Sequence, residues 1–126
     1  MSRPVQFCVA ISEEDLGSSV PVPFQGGLIN AIKQASELGF TAVEMHIRNP
    51  RQLDIDAIAD AAEKFGISIA AVGTGLENTL NGLILTSPDA QSRRFASDRY
   101  REHIDLASRF GATVFVGLCR GSDQTE

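Results

Sequence analysis

A chain of 126 residues, 43% hydrophobic and 21% charged, has the composition of one globular domain, which excludes a disordered tail, a collagen-like repeat and a disulfide-stapled mini-protein. Its net charge of −5, from 16 acidic and 11 basic side chains, gives no overall pull toward nucleic acid or an anionic membrane surface. No apolar run approaches the roughly 18 residues of a membrane helix, and residues 7–11 are too short and mixed for a secretory signal, so a cytoplasmic protein is expected.

In chain order, residues 5–12 predict a first strand. A helix follows over 26–38, with Leu28, Ile32, Ala35 and Leu38 on one stripe. A second strand is expected over 41–47. The second helix, 54–65, places Ile55, Ile58, Ala59, Ala62 and Phe65 together. A third strand over 67–74 leads to a long connection, 75–86, that could act as a lid. The third helix, 87–110, opens Ser87-Pro88-Asp89, which predicts Ser87 as the N-cap and Pro88 in the first helical position. Ala96, Tyr100, His103, Ala107 and Phe110 share a face, and His103 reads as a helix-packing histidine. Arg93, Arg94, Arg99, Arg101 and Arg109 are interleaved with Asp98, Glu102 and Asp105, as on a solvated face. The fourth strand is expected over 113–119. Glycine follows three of the helical stretches (Gly39, Gly66, Gly111), where a left-handed residue closes the last turn.

The order β-α-β-α-β-α-β predicts four parallel strands in sequence order with all three helices on one face. Strict alternation puts Phe7, Val9, Ile11, Val43, Met45, Ile47, Ile67, Ile69, Ala71, Val114, Val116 and Leu118 on an aliphatic face. The opposite face carries Gln6, Cys8, Ala10, Ser12, Ala42, Glu44, His46, Ser68, Ala70, Val72, Thr74, Thr113, Phe115, Gly117 and Cys119, most of them small or polar. An open sheet covered on both sides should be apolar on both faces, whereas a barrel can keep a polar lumen. The fold class expected is therefore α/β of the (β/α)8 TIM-barrel type. A full barrel takes about 250 residues, so residues 1–126 read as the N-terminal half of a single barrel domain, without a second domain. A flavodoxin-like open sheet is the alternative. Cys8 and Cys119 lie on the first and last strands, too far apart to bridge, and read as free thiols.

Several segments resemble the sugar phosphate isomerase/epimerase family, the xylose-isomerase-like TIM barrels. They are residues 31–39 followed by Phe40-Thr41-Ala42-Val43-Glu44-Met45-His46, then Val72-Gly73-Thr74-Gly75, then residues 83–89 with Arg93-Arg94, then His103-Ile104-Asp105-Leu106-Ala107 leading to Gly111-Ala112. The resemblance implies a sugar or sugar phosphate substrate and a divalent metal (Mn, Mg, Zn or Co) held by a Glu/Asp/His/Glu set on strands five to eight. This chain has no such strands, so no metal ligand carries over and no metal is expected to be bound wholly by it. The superfamily also includes a DNA-repair endonuclease branch with several metal-binding histidines, against which two histidines and an acidic charge count.

Barrel active sites lie at the C-terminal ends of the strands. There, Glu44 and His46 are the candidate catalytic residues, two apart on one strand and so on one face. Ser12, Arg48, Thr74, Cys119 and Arg120 are candidate substrate-binding residues. A carboxylate, an imidazole and a guanidinium on one lumen could orient a polyol and polarise its carbonyl. A structural Glu44–Arg48 pair is the competing reading. Arg120 could clamp a phosphate or carboxylate, and Cys119 fits a buried apolar role better than that of a nucleophile. Two functions stay open: half of an isomerase or epimerase working through an enediol, or a catalytically inactive half-barrel that self-associates. The partners expected are a small sugar, no nucleic acid, no membrane, and either a second copy or a C-terminal half.

Overall fold

A computed structural model describes residues 4–122. The elements are β1 (Cys8–Ser12), α1 (Leu28–Glu37), β2 (Ala42–His46), α2 (Ile55–Phe65), β3 (Ser68–Gly73), α3 (Gly75–Asn81), α4 (Ala90–Phe110) and β4 (Thr113–Phe115), with 3-10 turns at Pro50–Gln52 and Gly117–Arg120. All strand pairs are parallel and the order is β1-β2-β3-β4. This is the α/β arrangement of a partial TIM barrel.

One core joins the sheet to the three long helices. Val9, Ile11, Val43, Met45, Ile69 and Val72 meet Leu28, Ala31, Ile32 and Ala35 of α1, Ile58, Ala61 and Ala62 of α2, and Leu106 and Ala107 of α4. The apolar stripe of each helix forms because its period matches 3.6 residues, and burial of each large aliphatic side chain contributes about 1.5–3 kcal/mol. Asp54 Oδ1 accepts from Ala57 N at 3.0 Å to start α2. At the start of α4 the cap is Asp89, not Ser87: Asp89 Oδ2 accepts from Ser92 N at 2.8 Å, and Ser87 Oγ accepts from Asp89 N. A carboxylate suits a helix N-terminus better than a hydroxyl because it also meets the dipole. Helix α1 has no cap of its own; Glu13, from the loop after β1, accepts from Leu28 N at 2.8 Å.

Four expectations need correction. Strands β1 and β4 are shorter than the 5–12 and 113–119 ranges, and Phe7 is exposed rather than packed. Residues 117–120 form a 3-10 turn, so Cys119 lies on no strand. The 75–86 connection holds helix α3. Last, strict alternation fails in β3: Val43 pairs with Ile69 but Glu44 with Ala71, so Ala70 is an extra residue in the register. The shift carries Val72 into the core beside Met45 and leaves Ala71 and Gly73 on the inner face. Without it, a valine would face the polar side and an alanine the helices.

Arg99 also departs from expectation. It is not on a solvated face but 9% exposed, in a polar cluster between α3 and α4. The side of α4 that faces inward carries Ala96, Arg99, His103, Leu106 and Ala107, with Tyr100 half-buried.

Candidate functional site

The inner face at the C-terminal ends of the strands is built from two rows fixed by the register. Ala10, Glu44, Ala71 and Thr113 form one; Ser12, His46, Gly73 and Phe115 form the next, nearer the strand ends. Glu44 and His46 point the same way because they are two apart on β2. His46 Nε2 lies 2.7 Å from Glu44 Oε2. A carboxylate oxygen accepts, so the tautomer that matches this contact has Nε2 donating and leaves Nδ1 as an acceptor. The ring packs edge-on against Phe115, with centroids 6.0 Å apart and an interplanar angle of 67°. Nδ1 lies over Gly73, whose lack of a side chain makes room for the ring.

This geometry gives an imidazole oriented by a carboxylate on one side and an aromatic edge on the other. Its free nitrogen can take or give a proton. The pair answers the question of Glu44's partner: it is His46, not Arg48.

The remaining candidates are placed as follows. Arg48 stands just past β2, half-exposed; its Nε donates to Asn81 Oδ1 at 3.1 Å and its Nη1 is 3.9 Å from Glu14 Oε2. Ser12 shares His46's row but is fully buried, with Oγ accepting from Glu14 N at 3.0 Å. Thr74 does not face the lumen: it is fully buried, and its Oγ1 reaches the carbonyls of Phe115 and Val116 at 3.0 and 2.8 Å. Its hydroxyl ties the end of β3 to the end of β4. Cys119 is likewise buried away from the inner face, its thiol donating to Thr74 O at 3.0 Å. Burial pushes that thiol above its ordinary value, against the lowering effect of the bond to Thr74, so it suits packing rather than nucleophilic attack. Arg120 is exposed; its carbonyl accepts from Thr86 Oγ1 at 2.8 Å, and its side chain lines a cleft with Asn78, Ile84, Val116 and Leu118. The structure thus brings Glu44 and His46 together, joins Arg48, two residues past β2, to Asn81 and Glu14 rather than to that pair, and turns Thr74 and Cys119 to structural work.

Sequence reasoning passed over a second polar cluster beside this mouth. Glu77, fully buried on α3, places Oε1 3.0 Å from His103 Nε2 and 2.8 Å from Arg99 Nε, while Oε2 accepts from Asn81 Nδ2 at 2.9 Å. The Arg99 contact is an ion pair without hydrogen-bond alignment. Arg99 also reaches Glu102, which Arg51 Nε holds from outside at 2.8 Å. That bond to Arg51 is the main cause holding the Glu102 carboxyl below its ordinary range. The pattern Thr74-Gly75-Leu76-Glu77 carried a signal for α3, since Ser/Thr followed three residues later by Glu marks a helix start. Here both side chains have been diverted from capping, Thr74 to β4 and Glu77 to α4.

Among the described residues, no three His, Cys, Asp or Glu side chains come together to hold a metal ion. Glu44 and His46 are two donors already committed to each other, so they do not by themselves fit the metal set that the resemblance implied. No described helix is long and apolar enough to cross a membrane.

No curated protein matches the chain. Among solved structures, a crystal structure titled as an AP endonuclease, family 2, from Brucella melitensis superposes with a TM-score of 0.55 and 18% sequence identity. The match covers 87% of this chain and 40% of that one, so the chain spans well under half the length of the structure it resembles. At that identity the likeness speaks for the fold alone. The sequence also matches the family described as xylose isomerase-like TIM barrel over residues 32–126. With most of its length matched and its four parallel strands in barrel order, the chain belongs to the xylose isomerase-like TIM barrel family, which includes sugar isomerases and epimerases as well as AP endonucleases.

Proposed function

We propose that this chain supplies one side of a sugar or sugar phosphate isomerase or epimerase site, with His46 as the proton-transfer group and Glu44 as its orienting carboxylate. The observation that carries the reading is the 2.7 Å pair on the inner face at the C-terminal strand ends, where barrel enzymes place their chemistry. Nδ1 would remove a proton from the carbon next to a carbonyl. The C–H electron pair becomes the C=C of an enediolate and the carbonyl oxygen takes the charge. For an aldose–ketose conversion, the proton returns to the former carbonyl carbon. The hydroxyl hydrogen of the first carbon passes to the former carbonyl oxygen, and that carbon becomes the new carbonyl. The Nε2–H bond to Glu44 stabilises the imidazolium that forms in between.

The rest of the site belongs to strands that close the barrel, from further polypeptide or from a second copy. Ligands for a divalent ion would come from those strands, because among the described residues no three His, Cys, Asp or Glu side chains come together and Glu44 and His46 are paired with each other. Endonuclease action on abasic DNA is the competing family activity; the net charge of −5 favours the sugar reading.

The test is solvent deuterium uptake at the carbon next to the carbonyl, read by NMR on fructose, xylulose and their terminal phosphates with the assembled barrel. Uptake that falls at least a hundredfold in His46→Asn supports the reading. No uptake with any of the four, together with cleavage of an abasic duplex, would favour the endonuclease. Neither activity would leave an inactive, self-associating half-barrel.

A further inference from the structure

We infer that Asn81 is a positioning residue that sets the Arg48 guanidinium across the strand ends, leaving its outer edge free to bind an oxyanion of the substrate. The inference rests on the reading of the inner face as the site. It begins with the two-point grip on residue 48. Asn81 Oδ1 accepts from Arg48 Nε at 3.1 Å, and Asn81 Nδ2 donates to the Arg48 carbonyl at 3.2 Å. One amide therefore fixes both the backbone and the side chain of the same arginine.

The amide's own orientation is determined by its partners. Arg48 Nε can only donate, and the Arg48 carbonyl and the Glu77 carboxylate can only accept. Only one assignment of the amide oxygen and nitrogen satisfies all three contacts. Glu77 Oε2, at 2.9 Å from Asn81 Nδ2, is in turn immobile: Glu77 is fully buried and its other oxygen lies between His103 and Arg99 of α4. The hold on Arg48 thus runs through Asn81 and Glu77 into a helix of 21 residues.

What remains of the guanidinium is the functional part. A guanidinium has five N–H donors in a fixed fork. Asn81 takes the Nε donor. Glu14, at 3.9 Å from Nη1, is near enough to steer the group but beyond hydrogen-bond reach. Among the described residues no hydrogen bond takes the Nη1–Nη2 edge, which is left for a two-point acceptor, on a residue two positions along the chain from His46. An arginine already oriented by a protein amide loses less freedom on binding than a free one.

The test uses the 126-residue chain with its arginine side chains labelled for NMR, and inorganic phosphate as the probe. The wild type should show a resolved Arg48 Nε–H signal that shifts saturably with phosphate. Asn81→Ala should weaken phosphate binding about tenfold, as expected for loss of one orienting hydrogen bond to a charged group, with a melting temperature within a few degrees of wild type because Asn81 is exposed. Arg48→Ala has no such signal, so its phosphate response is read by isothermal titration calorimetry beside the wild type; it should be lost, and the double variant should add nothing to that loss. Unchanged phosphate binding in Asn81→Ala, or a phosphate response in Arg48→Ala as strong as in wild type, overturns the inference. Phosphate binding here involves no proton transfer. Normal phosphate results alongside undiminished deuterium uptake in His46→Asn would therefore place the failure in the proposed catalysis, not in the anion contact.

Discussion

Position 73 and the His46 ring compete for one space: a Cβ on Gly73 would stand 2.9 Å from His46 Nδ1 and 2.7 Å from the Phe115 ring. Both neighbours are side chains, so they would yield rather than the backbone. Gly73→Ala is expected to cost about 1–3 kcal/mol, as overpacking does, and to turn the ring off Glu44. The His46 ring signals in NMR should move in the variant as the ring changes place. Unchanged ring signals and unchanged melting would mean the ring is not confined there.

Removing Glu77 should cost far more than removing a surface carboxylate. Glu77→Ala leaves His103 without its buried partner and Arg99 with Glu102 alone, and breaking a buried ion pair by removing one partner typically costs about 3–5 kcal/mol. Urea denaturation should show it as a lowered midpoint. Glu77→Gln keeps the volume and the bond to Asn81 but loses the charge facing Arg99, so it should fall between wild type and Glu77→Ala. A Glu77→Ala protein as stable as wild type would show that the cluster contributes nothing net.

The thiols offer a readout of the inner face. Cys8 is exposed, and its thiol is held above its ordinary value first by partial desolvation and then by the negative charge of Glu44. Glu44→Gln removes that charge, lowers the thiol's pKa and raises the thiolate fraction at pH 8. Alkylation of Cys8 should therefore speed up in the variant, while buried Cys119 should react only on unfolding. Equal Cys8 rates in both proteins would mean that Glu44 does not reach across to β1.

The 126-residue chain alone should self-associate. Among the described residues no further strand lies beyond β1 or β4, and the outer edge of β1 is met by a bridge between Ile11 and Phe24. Phe7 and Leu118 are 66% and 60% exposed. Unpaired edges beside apolar surface favour pairing, and a twofold dimer satisfies both edges at once. Sedimentation should report a dimer or larger. A monomer with cooperative unfolding would mean the inner face tolerates water.

Most of the architecture was legible because it rests on periodicity. Asp54 and Gly66 bracket α2 as capping chemistry predicts, and the Glu44/His46 pairing on one face follows from a period of two. The errors have physical causes. At Ala70-Ala71 two small side chains express no preference between faces, so nothing in the sequence marks the extra residue that redirects Val72. Strict alternation puts Thr74 and Cys119 in the lumen, but the same extra residue turns Thr74 to the other face and the 3-10 turn at 117–120 takes Cys119 off the strand. Arg99 and Glu77 were hidden for a different reason. Each reads as an ordinary surface charge until α3 and α4 are set side by side, a contact 22 residues apart in sequence that no local pattern records.

The diverted carboxylate of Glu77 has a consequence for the order in which the molecule assembles. A seven-residue helix is well below the length at which helices persist in water, and α3 has no side-chain cap of its own. Synthesis delivers α3 before α4, so through that interval its residues have no stable form to adopt. They acquire one when Arg99 and His103 arrive. Arg48 therefore gains its bearing only after α4 has docked, and this side of the mouth matures later than the pairing of β1, β2 and β3 beneath it.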